Sequence, residues 1–219
     1  ANPPTGTVLY SRVAPPSGGD PVWASGTVVY ESLPPALRVY LEELEAIHSF
    51  EHSGWPPYFE RLPDGEAVYR QARADHPPVV HPVIRTHPVT GKKIVYVSPN
   101  FTDRIKGLPR QESDALLAFL FARFQRPEFQ ARLRWEENTV AVWDNRATVH
   151  YAVTDYGDQH RLLFVVGHQQ GNHRLLGLQL HAPHAAGLAA HRTDVFLVEP
   201  DRLAAVGDEH DVVLAVGQF

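Results

Sequence analysis

The chain has 219 residues, 43% of them hydrophobic, and a formal net charge of −5, which suits one domain around one sizeable core. A negative balance without any Lys/Arg block argues against nucleic acid as a partner, and no apolar run approaches the roughly 20 residues that cross a bilayer. With no cysteine in the sequence, disulfides and thiolate metal sites are excluded, His and carboxylates are the metal ligands left, and a cytoplasmic protein is expected.

Methionine is absent too, even at position 1, so the chain is expected to begin elsewhere than at a normal start or to have been processed. After a Pro-rich opening, Thr7 to Val13 reads as a strand, and Pro15-Pro16-Ser17-Gly18-Gly19-Asp20 as a turn. Val22 to Ser25 reads as a short strand. A helix is expected over 33–48, with Ser32 as its cap and Leu37, Leu41, Leu44 and Ile47 or His48 at helical spacing. Residues 50–78 read as a lid-like connection with one short helix at Gly65 to Ala74; within it Trp55 is either a lid aromatic or ordinary packing.

Val79 to Thr86 and Ile94 to Ser98 read as a hairpin closed by Val89-Thr90-Gly91-Lys92. His81 and His87 lie too far apart along one strand to share a metal and are expected to be turn and edge histidines. A helix over 110–126 carries an apolar stripe of Leu116, Leu117, Leu120, Phe121 and Phe124, and Pro127 ends it. Thr139 to Val142 then reads as a buried strand, Asp144-Asn145 as a turn, and Thr148 to Val153 as a strand with Thr148, His150 and Ala152 on one face. Arg161 starts a further strand over Leu162 to Val166. His150 and Arg161 are thus expected at the mouths of adjacent strands, as a site for a metal and an anionic ligand, although on spacing alone a lone His is more often structural than a ligand.

The stretch Trp143-Asp144-Asn145-Arg146-Ala147-Thr148-Val149-His150-Tyr151, with Arg161 eleven residues after His150, resembles the C-terminal signature of the taurine dioxygenase family. These are non-haem Fe(II), 2-oxoglutarate-dependent oxygenases. Pro3-Pro4-Thr5-Gly6, Gly18-Gly19-Asp20 with Trp23-Ala24-Ser25, His81 to Pro88 with Gly91, and Phe101-Thr102 with Arg104-Ile105 agree in order and spacing. The resemblance covers residues 1–166 and implies a mainly β fold, a double-stranded β-helix (jelly roll), with helices at 33–48 and 110–126 outside it. It implies Fe(II) as cofactor and 2-oxoglutarate as cosubstrate, His150 as a metal ligand, and Arg161 as the partner of the far carboxylate of 2-oxoglutarate. It also implies Phe101 and Ser53 as substrate-pocket residues, with Trp55 beside them, and Trp143, Asp144 and Asn145 as the scaffold that orients His150.

Three positions depart from the family pattern. The His-x-Asp pair that supplies two further ligands belongs shortly before Pro3-Pro4, and the sequence holds no His-x-Asp or His-x-Glu. Pro21 stands where the family has a Thr that helps hold 2-oxoglutarate, and Val165 where a second Arg grips the sulfonate of taurine. The jelly roll is accordingly expected to be N-terminally incomplete, its open edge covered by a second copy in a homo-oligomer, by the tail or by aggregation, and the chain alone is expected not to turn over. Residues 167–219 read as an extension of unknown role that packs on the core or packs poorly, with strands at Asp194 to Val198 and Asp211 to Val216; His191 and Asp194 are remote candidates for substitute ligands. Two readings follow. One is a dioxygenase hydroxylating a small organic acid, of the sulfonate or sulfate ester class, with succinate and CO2 as coproducts. The other is an inactive family remnant that binds a 2-oxo acid or a partner protein.

Overall fold

The computed structural model describes residues 5–52, 59, 64–169, 172–180, 193–197 and 215–216, with side-chain surroundings up to Phe164. The chain divides into two compact units, one built from Ala24–Gln130 and the other from the segments flanking it, Asn2–Trp23 and Ala131–Phe219.

In the flanking unit, β1 (Gly6–Val13) lies centrally in a six-stranded sheet. It is antiparallel to both β9 (Val140–Asp144) and β11 (Leu162–Gln169). Beyond β11 come β12 (Asn172–Leu180) and β13 (Thr193–Leu197), while β14 (Ala215–Val216) runs parallel to β9 on the other side. Of the strand expected at Asp194 to Val198, the described residues 194–197 lie in β13, and of the one expected at Asp211 to Val216 the described residues Ala215–Val216 form β14.

A second sheet of this unit has the order β10 (Thr148–Ala152), β2 (Pro21–Ser25) and β8 (Gln130–Arg132). Alternation along the strands builds the core between the two sheets. Buried Trp135, Ala141 and Leu163 meet Leu9, Trp23, Leu133 and Trp143, so β2 covers β1, β9 and β11. Full burial of such side chains stabilises the fold by about 1.5–3 kcal/mol each.

The Ala24–Gln130 unit opens with α1 (Gly26–Glu31), capped by Ser25, whose hydroxyl accepts from Val28 N at 3.3 Å. Next comes α2 (Pro35–Glu42), with Pro at its first turn, followed by β3 (Glu45–His48). The expected 33–48 helix is corrected on three counts. It stops at Glu42, its start has no side-chain cap, and Ser32 closes α1 instead. Ile47 and His48 lie in β3 because that strand is laddered on both sides, by β4 (Val79–Pro82) and β7 (Thr102–Ile105); tertiary pairing overrides the helical spacing.

A 3₁₀ turn at Phe50–His52 and α3 (Gly65–Asp75) fall in the 50–78 connection. The expected hairpin exists as β5 (Ile84–Thr86) with β6 (Lys93–Val95), its turn carrying Gly91 at φ +70°. The strand before it is broken at Val83, so β4 joins β3 rather than β6. α4 (Arg110–Phe124) buries Leu117, Leu120 and Phe124 along the expected stripe, and also Ser113, whose Oγ accepts from Ile105 N at 2.8 Å.

Candidate active site

His150 sits mid-way along β10, reached through a turn that the local chemistry locks. Asp144 Oδ1 accepts from Arg146 N at 2.8 Å, and the Thr148 hydroxyl donates to Asp144 O at 2.8 Å. Asn145 Nδ2 donates to Thr7 Oγ1 at 2.8 Å and Asn145 N to Thr5 O at 3.1 Å, which pins the turn to the start of β1. Two short polar side chains thus satisfy the turn and tie it to a central strand. Arg146 closes back on Asp144, 2.5 Å from Nη2 to Oδ2, which raises the pKa of its guanidinium.

The His150 ring stands against Trp143, centroids 5.1 Å apart, and Trp143 in turn against Trp23 at 5.3 Å. This crowding withdraws water from the imidazole and lowers its pKa, although the residue retains an exposed side. The ring therefore stays neutral at physiological pH, the form that can ligate a metal.

Arg161 directly precedes β11 and is only 2% exposed. Its Cζ lies 5.4 Å from the centroid of the Tyr156 ring, and its Nε has no hydrogen-bond partner among the described residues. Burial lowers the guanidinium pKa, partly offset by Tyr156 and Asp20. Tyr156 takes one hydrogen bond from this buried guanidinium, the Nε–H is left for a further acceptor, and a carboxylate matches the fork. The loop before it is clasped at Gly19, whose N–H donates to Asp155 Oδ1 at 2.8 Å. That bond leads the causes lowering the Asp155 pKa. Arg132 bridges Asp155 (3.3 Å) and Asp20 (3.0 Å).

His150 and Arg161 belong to one compact unit, but the expected adjacency of their strands is corrected: β10 and β11 lie in different sheets. The nine-residue span Val153–Arg161 crosses from one sheet to the other. Phe101 lies in the Ala24–Gln130 unit, 42% exposed just before β7, with its carbonyl accepting from Ser49 N at 2.8 Å. Ser53 and Trp55 lie outside the described residues, as do His181, His184 and His191. Tyr156 and Asp155 have no role assigned from the sequence, and Gly18-Gly19 only that of a turn; the fold brings the two segments together.

A family model described as "Taurine catabolism dioxygenase TauD, TfdA family" matches residues 1–166. The chain belongs to this family. It is 41% identical over 165 residues to an alpha-ketoglutarate-dependent sulfate ester dioxygenase of Pseudomonas putida, covering 73% of this chain and 53% of that protein. It is 37% identical over 164 residues to an alkylsulfatase of Acinetobacter baylyi, covering 72% and 50%. Among solved structures, a taurine dioxygenase from Burkholderia xenovorans superposes with TM-score 0.62 at 31% identity, covering 93% of this chain and 61% of that one. A second taurine dioxygenase structure from the same organism gives 0.64 at 32%, covering 80% and 57%. The fold is therefore the family's jelly roll, and the chain spans about half the length of the curated relatives it matches.

The fit of the family's two small-molecule partners differs. The unsatisfied Nε of buried Arg161 suits the carboxylate of a 2-oxo acid. For iron, no group of three His, Asp or Glu able to hold a metal occurs among the described residues, and His150 offers one donor. Two more donors are needed for the facial arrangement of a non-haem iron site.

Proposed function

We propose that this chain carries the cosubstrate-binding half of an Fe(II)/2-oxoglutarate-dependent dioxygenase acting on a small organic acid, with sulfonates and sulfate esters the favoured class. The observation that carries the reading is Arg161, buried to 2% with its Nε unpartnered among the described residues. In this role Arg161 binds the far carboxylate of 2-oxoglutarate, which would supply two of the four electrons that reduce O2 as it is oxidised to succinate and CO2, the substrate C–H bond that is hydroxylated supplying the other two. His150, kept neutral and oriented by Trp143 and the Asp144-Asn145 turn, contributes one metal ligand. Residues 1–166 form the dioxygenase-like core, Phe101 is kept as a candidate substrate-side residue, and the protein works in the cytoplasm. The relatives named sulfate ester dioxygenase and alkylsulfatase support the substrate class, whereas Val165, in the place of the family's sulfonate-gripping Arg, argues against taurine itself.

Isothermal titration of the chain with 2-oxoglutarate tests the reading. Saturable binding is expected, weakened by about 10- to 100-fold in Arg161→Gln, the worth of one charge-assisted pair. Binding that ignores the substitution, or no binding by the folded wild type, overturns it.

A further inference from the structure

A second polar cluster lies in the Ala24–Gln130 unit and owes its existence to two strand registers. In the β3–β4 ladder Ala46 faces His81 and His48 faces Val79. His48 and His81 are therefore diagonal neighbours on one face of the sheet, with ring centroids 5.3 Å apart. In the β5–β6 hairpin Arg85 faces Ile94, and Tyr96 N donates to Val83 O at 2.7 Å, extending the ladder by one step. Arg85 and Tyr96 are thus diagonal as well, and the guanidinium Cζ lies 4.4 Å from the Tyr96 centroid. The Tyr96 ring meets His48 at 5.6 Å and His81 at 5.4 Å, so both pairs converge on it.

Two buried polar atoms in this cluster have no hydrogen-bond partner among the described residues: His48 Nε2 and Arg85 Nη1. Thr102 Oγ1 accepts from Ser98 N at 2.9 Å and has its own proton to offer to His48 Nδ1, 3.4 Å away. In the tautomer in which the Thr102 hydroxyl donates to Nδ1, Nε2 is the N–H side of the ring. Both orphans are then donors without an acceptor, and a buried donor left unused is destabilising. The carboxylates on the packed strands and on α2 are engaged elsewhere. Glu45 pairs with Lys106, Asp103 with Arg104 and Arg110, and Glu42 with Lys93 and Tyr30. A metal ion is disfavoured by the positive charge of Arg85.

We infer that His48, His81, Arg85 and Tyr96 form a binding site for a small oxyanion, whose oxygens accept from Arg85 Nη1 and His48 Nε2. The site is independent of Arg161 and of the dioxygenase reading. Without a ligand, burial first, then His81 and Arg85, hold the His48 pKa down at about 4, and burial and Arg85 lower that of His81. An arriving anion offsets Arg85 and favours the imidazolium forms, so binding takes up protons and tightens as pH falls below the ordinary His range.

The test is NMR of ¹⁵N-histidine-labelled protein titrated with sodium sulfate against sodium chloride at constant ionic strength, at about pH 5.5 and about pH 7.5. Sulfate is expected to move the His48 and His81 ring signals saturably, to raise their apparent pKa values, and to bind several-fold more tightly at the lower pH, whereas chloride does not. Arg85→Gln removes the response and Arg161→Gln leaves it intact. Equal responses to sulfate and chloride, or a response that survives Arg85→Gln, overturn the site. Should Arg85→Gln fail to fold, the wild-type pKa values decide, since an unmoved His48 pKa in saturating sulfate is equally fatal.

Discussion

The Tyr156 ring lies beneath the Arg161 guanidinium, 5.4 Å from Cζ to centroid, and the same ring crowds Gly19, where a Cβ would stand 3.1 Å from Tyr156 Cδ1. Tyr156 holds the cation by its ring and by a side-chain hydrogen bond, and still leaves the Arg161 Nε–H unused among the described residues. Tyr156→Leu removes the platform while keeping an apolar filler. It is expected to weaken 2-oxoglutarate binding by roughly 3- to 30-fold, the worth of a desolvated cation–π contact. Calorimetry measures this, with a thermal melt to show that the variant is folded; undiminished affinity in a folded variant would remove Tyr156 from the site.

Gly18 and Gly19 both have positive φ, +77° and +71°, in the turn that clasps the loop before Arg161. At Gly18 a Cβ would stand 2.6 Å from the Asp155 carbonyl oxygen, which is backbone and cannot swing aside. Gly18→Ala should therefore lower stability by about 1–3 kcal/mol through left-handed strain and steric displacement, seen as a lower denaturant midpoint. Gly91→Ala, at φ +70° with open space around it, carries only the conformational penalty and is expected to cost less. Equal losses at the two positions would show that the approach to Asp155 contributes nothing.

Much of this was readable in advance, and the failures have physical causes. The turn between β9 and β10 was legible because Asp144 and Asn145 provide its hydrogen bonds from within the signature. α4 was legible because Leu117, Leu120 and Phe124 repeat at helical spacing up to a proline. Leu41, Leu44, Ile47 and His48 keep the same period beyond the end of α2, and only the pairing of β3 with two distant strands reveals the switch. α1 was hidden by its β-branched Thr27-Val28-Val29. The His48–His81 pair vanished with the same mistake, since a helical His48 cannot lie diagonally to His81. The edge position expected for His81 holds, because β4 is the outer strand of its sheet. Arg161 was identified by resemblance; that it rests on Tyr156 required the crossing between two sheets.

The lowered His48 pKa makes stability depend on pH. The unfolded imidazole titrates near 6.5 and the folded one at about 4, so the unfolded state gains its proton first as the solution is acidified. The stabilising contribution is complete above about 6.5, falls between 6.5 and 4, and is lost below that. Its size is at most about 3 kcal/mol, reduced by screening because the residue is only half-buried. Denaturant melts in chloride buffer at about pH 7.5 and about pH 4.5 should show a smaller drop for His48→Gln than for the wild type. An identical drop would mean that His48 is not held neutral by its surroundings.

The Trp143–His150 contact gives the candidate metal ligand its own testable signature. The lowered His150 pKa has a single cause, desolvation, and the indole 5.1 Å from the imidazole is the aromatic ring placed against it. Trp143→Leu thins that cover and admits water, so the His150 pKa should rise toward 6.5. The rise is measured by following the His150 ring signal through a pH titration. At physiological pH a larger fraction of His150 is then protonated, and a protonated imidazole cannot ligate. The substitution should therefore weaken metal affinity more at low pH than at high pH, and Trp143→Phe, which keeps an aromatic cover, should recover most of the effect. If the His150 pKa is unchanged in Trp143→Leu, the water is excluded by other groups and the indole serves only the core it shares with Trp23 and Leu163.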